Sequence, residues 1–478
     1  MVFSSLLFVF LFLISNLIVQ AFVPDMRKKN IVMLAFSLVF YAWGGPKYVV
    51  LLLGMTFICW AGALYISGWA QTKTQRKIGM TVTAVLVLAI LGVFKYTGFF
   101  LGNLQLLTGF PKVVPEIALP IGISFYTFQL LSYVVDVYRD EVKVQRKYWL
   151  LLLYASLFHQ CIAGPIVRYK DVNEDILHRR VKRSEVDRGI TRFACGLAKK
   201  AVLANGCAAV ADALLNGTVD TLAAVPALGV WLGGLAYMLQ IYLDFSAYSD
   251  MAIGMGLMCG FHYKENFNYP YIADSITDFW RRWHISLSSF FRDYVYIPLG
   301  GNRCSAGRQI FNMFVVWALT GMWHGASWNF ILWGLYFFVF LVLEKYFLKE
   351  FMAKWPKVLL HVAVLLVIYI SWMIFRFTDM SMLGTALAGL FGLNGNGFTN
   401  LTVNLELKNN MFFLLFCCIA VTPLGTKLSN ILNNAARSNQ AALVVQSVWK
   451  VVCPLLLLVL SMMALAGDNY NPFLYFRF

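Results

Sequence analysis

Long apolar runs recur along the whole of this 478-residue chain, and each is about 20 residues long, enough to cross a bilayer as an α-helix. That pattern narrows the folds available. In lipid no water satisfies the peptide groups, so a spanning segment must bond its backbone internally. Hydrophobic residues make up 60% of the chain and charged residues 13%, against about 25% charged in soluble proteins. The sequence predicts an all-α polytopic membrane protein of roughly 11–12 spans, not a string of soluble domains.

The net charge of +16 does not point to nucleic acid, because the cations sit in short loops that alternate along the chain. Arg27, Lys28 and Lys29 follow the first apolar run. Lys73, Arg76 and Lys77 come two spans later, and Arg139, Lys143, Arg146 and Lys147 two spans after that. Lys349, Lys354 and Lys357 mark a later inside loop. The segment 379–407 carries no Lys or Arg before its end and reads as an outside loop. The first 22 residues read as a retained helix. Both termini are then expected outside. The nine cysteines, such as Cys59, Cys161, Cys259, Cys417 and Cys418, lie mostly in apolar stretches and form no Cys-x-x-Cys. They predict small buried hydrophobes and no metal site.

Segment 168–192 is the most charged, with Arg168, Lys170, Arg179, Arg180, Lys182, Arg183, Arg188 and Arg192. It reads as a cytoplasmic amphipathic stretch at the headgroups. It is either a topology signal alone or a surface that receives an anionic donor.

Two segments are too polar for a simple span. One runs from Asp274 through Phe279-Trp280-Arg281-Arg282-Trp283-His284 to Arg303, with Phe290, Phe291, Arg292, Asp293 and Tyr294 between. Polar backbone at membrane depth is tolerated where protein buries it, so a re-entrant segment is predicted. As a helix it would place Arg281, His284 and Ser288 on one face. The second is Gly321-Met322-Trp323-His324-Gly325-Ala326-Ser327-Trp328. Ionisable groups at this depth mark function, and an imidazole suits general-base work near neutral pH. His284 stays open between a structural and a catalytic role. A third patch holds Asp244 and Asp250. Their spacing disfavours a paired-carboxylate centre and predicts cationic partners, with Arg281, Arg282 and Arg292 as candidates.

The chain ends Asn469-Tyr470-Asn471-Pro472-Phe473-Leu474-Tyr475-Phe476-Arg477-Phe478. Such a tail anchors at an interface. Tyr475 also has the chemistry of an acyl carrier, since a phenol ester retains much of a thioester's transfer potential.

Together, Ile162 to Arg168, Tyr242-Leu243-Asp244-Phe245-Ser246, Phe279 to Arg303 and Gly321 to Trp328 resemble the membrane-bound O-acyltransferase superfamily. The likeness is to its bacterial branch of alginate O-acetylases, peptidoglycan O-acetyltransferases and teichoic acid D-alanyl transfer proteins. It implies a ring of helices with re-entrant segments around a central funnel. The family-like domain would cover 1–440, and 441–478 would add a helix and an extracytoplasmic tail. The resemblance implies His324, His284 and Tyr475 as catalytic residues. Arg281, Arg282, Trp323, Ser327 and Asp244 would bind substrate, and Phe473, Phe476 and Phe478 would complete the tail motif. It also implies acetyl-CoA as donor with no permanently bound cofactor, a polysaccharide acceptor, and a separate extracytoplasmic acyltransferase of the SGNH type. His284 or a nearby donor is expected to stabilise the oxyanion. The rival readings are D-alanyl transfer from a carrier protein and a non-enzymatic polysaccharide exporter.

Overall fold

A computed structural model describes residues 2–162 and 164–467, and every regular element among them is helical. Eight of the described helices are long and apolar enough to cross a membrane, and two shorter apolar helices, Leu7–Phe22 and Met380–Leu390, accompany them. The protein is a multi-pass membrane protein. The remaining segments expected to cross form shorter or more polar helices, such as Ile123–Tyr138 and Ala306–His324. The first of these buries nearly every side chain, Ser132 and Asp136 included. A helix wrapped in protein does not need the uniform apolar surface that lipid demands.

The chain divides into two compact units. The first comprises Met1–Phe193 and Ser249–Glu265. Its longest helix, Lys73–Thr108, starts at a capping box between Thr72 and Gln75 and ends at Gly109 in the left-handed conformation. Those residues satisfy orphan amides at one end and reverse the chain at the other. The basic segment 168–192 is not one solvated face. It folds as the helix Tyr169–His178 and the start of Arg183–Ala198. Arg179 is buried, donates to Asn30 and to the Cys259 carbonyl, and stacks over Phe261. Arg192 pairs with Asp250 at 3.0 Å and also with Glu265. Several of these cations are therefore consumed in ion pairs and packing.

The second unit comprises Ala194–Tyr248 and Asn266–Phe478. Its aromatic core is centred on Trp333, Trp372, Phe279 and Phe337. The segment 379–407, expected as an open loop, contains the helix Met380–Leu390 and the start of Leu401–Ala420. Leu383, Ala386 and Leu390 bury one face of the former, and Asp379 caps its first turn. The absence of Lys and Arg there accompanies a packed helix. The final helix, Gln440–Gly467, agrees with the apolar run read from sequence.

Candidate active site

Two short helices, Ile276–Arg282 and Ile285–Phe291, carry the first polar block. The Ser275 hydroxyl accepts from the Asp278 amide, and the Glu344 carboxylate accepts from the amides of Ile276 and Thr277. The first turn is thereby capped on both sides. The single helix expected across this block does not form. Trp283 is extended, and His284 adopts the left-handed region at φ 44° and ψ 54°. The Asn268 amide donates to the Arg282 carbonyl, and the Ile285 amide to the Asn266 carbonyl. These bonds stitch the break to a neighbouring loop. A non-glycine residue in that region costs about 1–3 kcal/mol, so the surrounding bonds hold His284 against its backbone preference.

The second block is a hairpin of the helices Ala306–His324 and Trp328–Leu343. A Cβ on Gly321 would lie 2.4 Å from the Phe330 carbonyl oxygen, and one on Gly334 would lie 2.4 Å from the Trp317 carbonyl oxygen. The two backbones touch, as small residues permit between membrane helices. Gly334→Val is expected to part the helices and cost about 1–3 kcal/mol. Thermal unfolding in detergent, read beside the parent protein, checks this.

These elements bring the two histidines together around Trp323. The Trp323 ring centroid lies 5.6 Å from that of His284 and 4.8 Å from that of His324. His324 is 7% exposed and ends its helix, with Gly325 extended beyond it. Trp333 and Phe375 approach the His324 ring edge-on at 4.9 and 5.2 Å. His284 is fully buried, with Phe245 perpendicular to it at 4.7 Å. Its Nδ1 lies 3.2 Å from Asn266 Oδ1, which also accepts from the Ser286 amide at 3.2 Å and the Ser286 hydroxyl at 2.8 Å.

A cavity of about 200 Å³ runs beside these helices, lined by Trp280, Leu287, Ser288, Arg292, Trp317 and Thr320 among others. Ser288 is one helical turn after His284, and Thr320 one turn before His324. The cavity wall therefore shares its helices with the two histidines.

Other residues fall differently from the sequence reading. Arg281 is exposed, and Arg282 is turned to Asp278 at 2.7 Å. The helix break at His284 removes the face that Arg281 was expected to share with it. Asp244 pairs with Lys200 at 2.8 Å, and the two side chains are 2% and 1% exposed. Asp250 takes Arg192. Arg292 lies against its neighbour Asp293. The partners instead come from the helical stretch just upstream, which sequence spacing could not single out. Ser327 precedes the second hairpin helix, and its hydroxyl is 3.5 Å from the Thr378 carbonyl. Tyr475, Phe473, Phe476 and Phe478 lie outside the described residues. Asn266 and Lys200 were missed. Lys200 follows Lys199 in an otherwise apolar run, where cations are themselves a signal.

Two buried imidazoles thus flank one tryptophan, in a chain with eight described helices long and apolar enough to cross a membrane. The chain belongs to the membrane-bound O-acyltransferase family, whose model matches residues 49–386. It is thus an O-acyltransferase. It is 36% identical to a probable alginate O-acetylase of Azotobacter vinelandii, with all of both chains covered. It is 32% identical to a peptidoglycan O-acetyltransferase of Helicobacter pylori, covering 100% of this chain and 98% of that one. A teichoic acid D-alanyltransferase of Bacillus subtilis is 28% identical over 63% of this chain and 75% of its own.

Proposed function

We propose that this protein moves acetyl groups from cytosolic acetyl-CoA to a cell-wall or exported polysaccharide outside the bacterial cytoplasmic membrane. The convergence of His324 and His284 on Trp323 carries this reading. The names of the full-length relatives support acetyl as the group and polysaccharide as the acceptor. Loop charges support termini on the outer side.

In this reading the donor's thioester arm enters the cavity, with Arg292 available to its anionic parts. Tyr475 meets it from the outer side. His324 takes the phenolic proton as the phenol oxygen attacks the thioester carbonyl. The tetrahedral intermediate collapses, the carbon–sulfur bond breaks, and the imidazolium returns its proton to the departing thiolate. Acetyl-tyrosine then gives acetyl to the polymer, directly or through a separate extracytoplasmic acyltransferase of the SGNH type. No permanently bound cofactor takes part.

The test is mass spectrometry of the C-terminal peptide after incubating purified protein with labelled acetyl-CoA. One acetyl group on Tyr475 is expected, and none in Tyr475→Phe. Full transfer to polymer by Tyr475→Phe would rule out the tyrosine carrier. Release of CoA with an unmodified peptide would point to direct transfer.

A further inference from the structure

Asn266 determines which nitrogen of His284 carries the hydrogen. A backbone amide can only donate, so the Asn266 atom that faces the Ser286 amide at 3.2 Å is the carbonyl oxygen. That oxygen can only accept. It lies 3.2 Å from His284 Nδ1, so Nδ1 carries the hydrogen. The Ser286 hydroxyl does not upset this. It is 2.8 Å from the same oxygen and 3.4 Å from Nδ1, so its single hydrogen goes to the oxygen. Were it to go to Nδ1, two lone pairs would face each other between His284 and Asn266. Nε2 is left with a lone pair. It is buried and makes no hydrogen bond among the described residues. The rings around it, Phe245, Phe267 and Trp323, bring no titratable group.

We infer that His284 is a hydrogen-bond acceptor for an alcohol, held in that state by Asn266 as a positioning residue. This reverses the oxyanion-donor role that the sequence suggested, because a neutral ring with a lone pair at Nε2 has no hydrogen to give there. The inference rests on the tyrosine-carrier reading for its place in the reaction. A carrier mechanism deprotonates two alcohols in turn, the phenol and then the sugar hydroxyl. His324 serves the first. In the second, the sugar hydroxyl donates to His284 Nε2 and its oxygen bonds to the acetyl carbon. The acetyl–tyrosyl C–O bond breaks, and Nε2 returns the proton to the tyrosyl oxygen. Protons and bonds balance with no further reactant.

Two measurements on the full-length protein test this. The first is nitrogen-15 NMR of labelled histidine, with the His284 signal assigned by difference against His284→Gln. A protonated Nδ1 and bare Nε2 are expected in the parent, and a mixture of tautomers in Asn266→Ala. A protonated Nε2 in the parent would overturn the inference, whatever the activity. The second separates the half-reactions, with methyl glucoside as the acceptor probe. Asn266→Ala and His284→Gln are expected to slow the passage of acetyl to methyl glucoside at least about 100-fold more than they slow acetylation of Tyr475. Asn266→Asp, whose carboxylate accepts the same hydrogen bonds, is expected to restore most of that rate. Equal loss of both half-reactions, or of neither, would overturn the assignment. A parent protein that never acetylates Tyr475 would remove the carrier reading, while the NMR result would still decide whether His284 is an acceptor.

Discussion

His324→Ala is expected to lower acetyl transfer by about 10²–10⁴-fold, the range that a positioned general base supplies. The case rests on position. The ring closes its helix, is 7% exposed, and is held edge-on by Trp333 and Phe375 beside Trp323. Truncation also leaves a void among those rings, so His324→Gln is the companion variant that keeps bulk and polarity. Both should insert and run as the parent does on size exclusion in detergent. Radiolabel transfer to polymer measures the effect. Activity within tenfold of the parent in both variants would remove His324 from the chemistry.

Lys200→Met is expected to destabilise the protein by about 3–5 kcal/mol, because it removes the cation that faces a buried carboxylate. Lys200 and Asp244 are 1% and 2% exposed, and their charged atoms stand 2.8 Å apart. Desolvating two ions offsets most of their attraction, so the pair as a whole contributes little. Losing one member is another matter. The double variant Lys200→Met with Asp244→Leu should recover most of the lost stability. Unfolding midpoints of the parent, both single variants and the double variant, measured in one detergent, form the cycle that checks this. A double variant as unstable as the singles would mean that the pair does more than neutralise itself.

Much of the fold was legible in the sequence because lipid imposes length and composition on a span. The helices Ala227–Cys259 and Gln440–Gly467 are such runs, each long and apolar enough to span. The two histidine motifs were legible for the same reason, since polar groups stand out against an apolar ground. What escaped is what long-range pairing decides. Periodicity placed Arg281 with His284, whereas a loop from Asn266 to Asn268 breaks that helix by bonding Arg282 and Ile285. Asn266 gave no signal, because its partner is 18 residues away and no helical spacing links them. Asp244 was expected to draw on the dense arginines downstream, yet takes Lys200 upstream.

The Lys200–Asp244 pair also bears on how the protein is made. Its two halves lie in the spans Arg183–Leu215 and Ala227–Cys259, which are the least hydrophobic of the eight and the most buried. The ribosome releases Lys200 first, so the earlier span reaches the membrane with an unmatched cation and little apolar surface to hold it there. Its counter-charge arrives only with the next span. The order of synthesis therefore favours the two entering the bilayer as one hairpin, with neutralisation as part of insertion and not a later refinement of the folded protein.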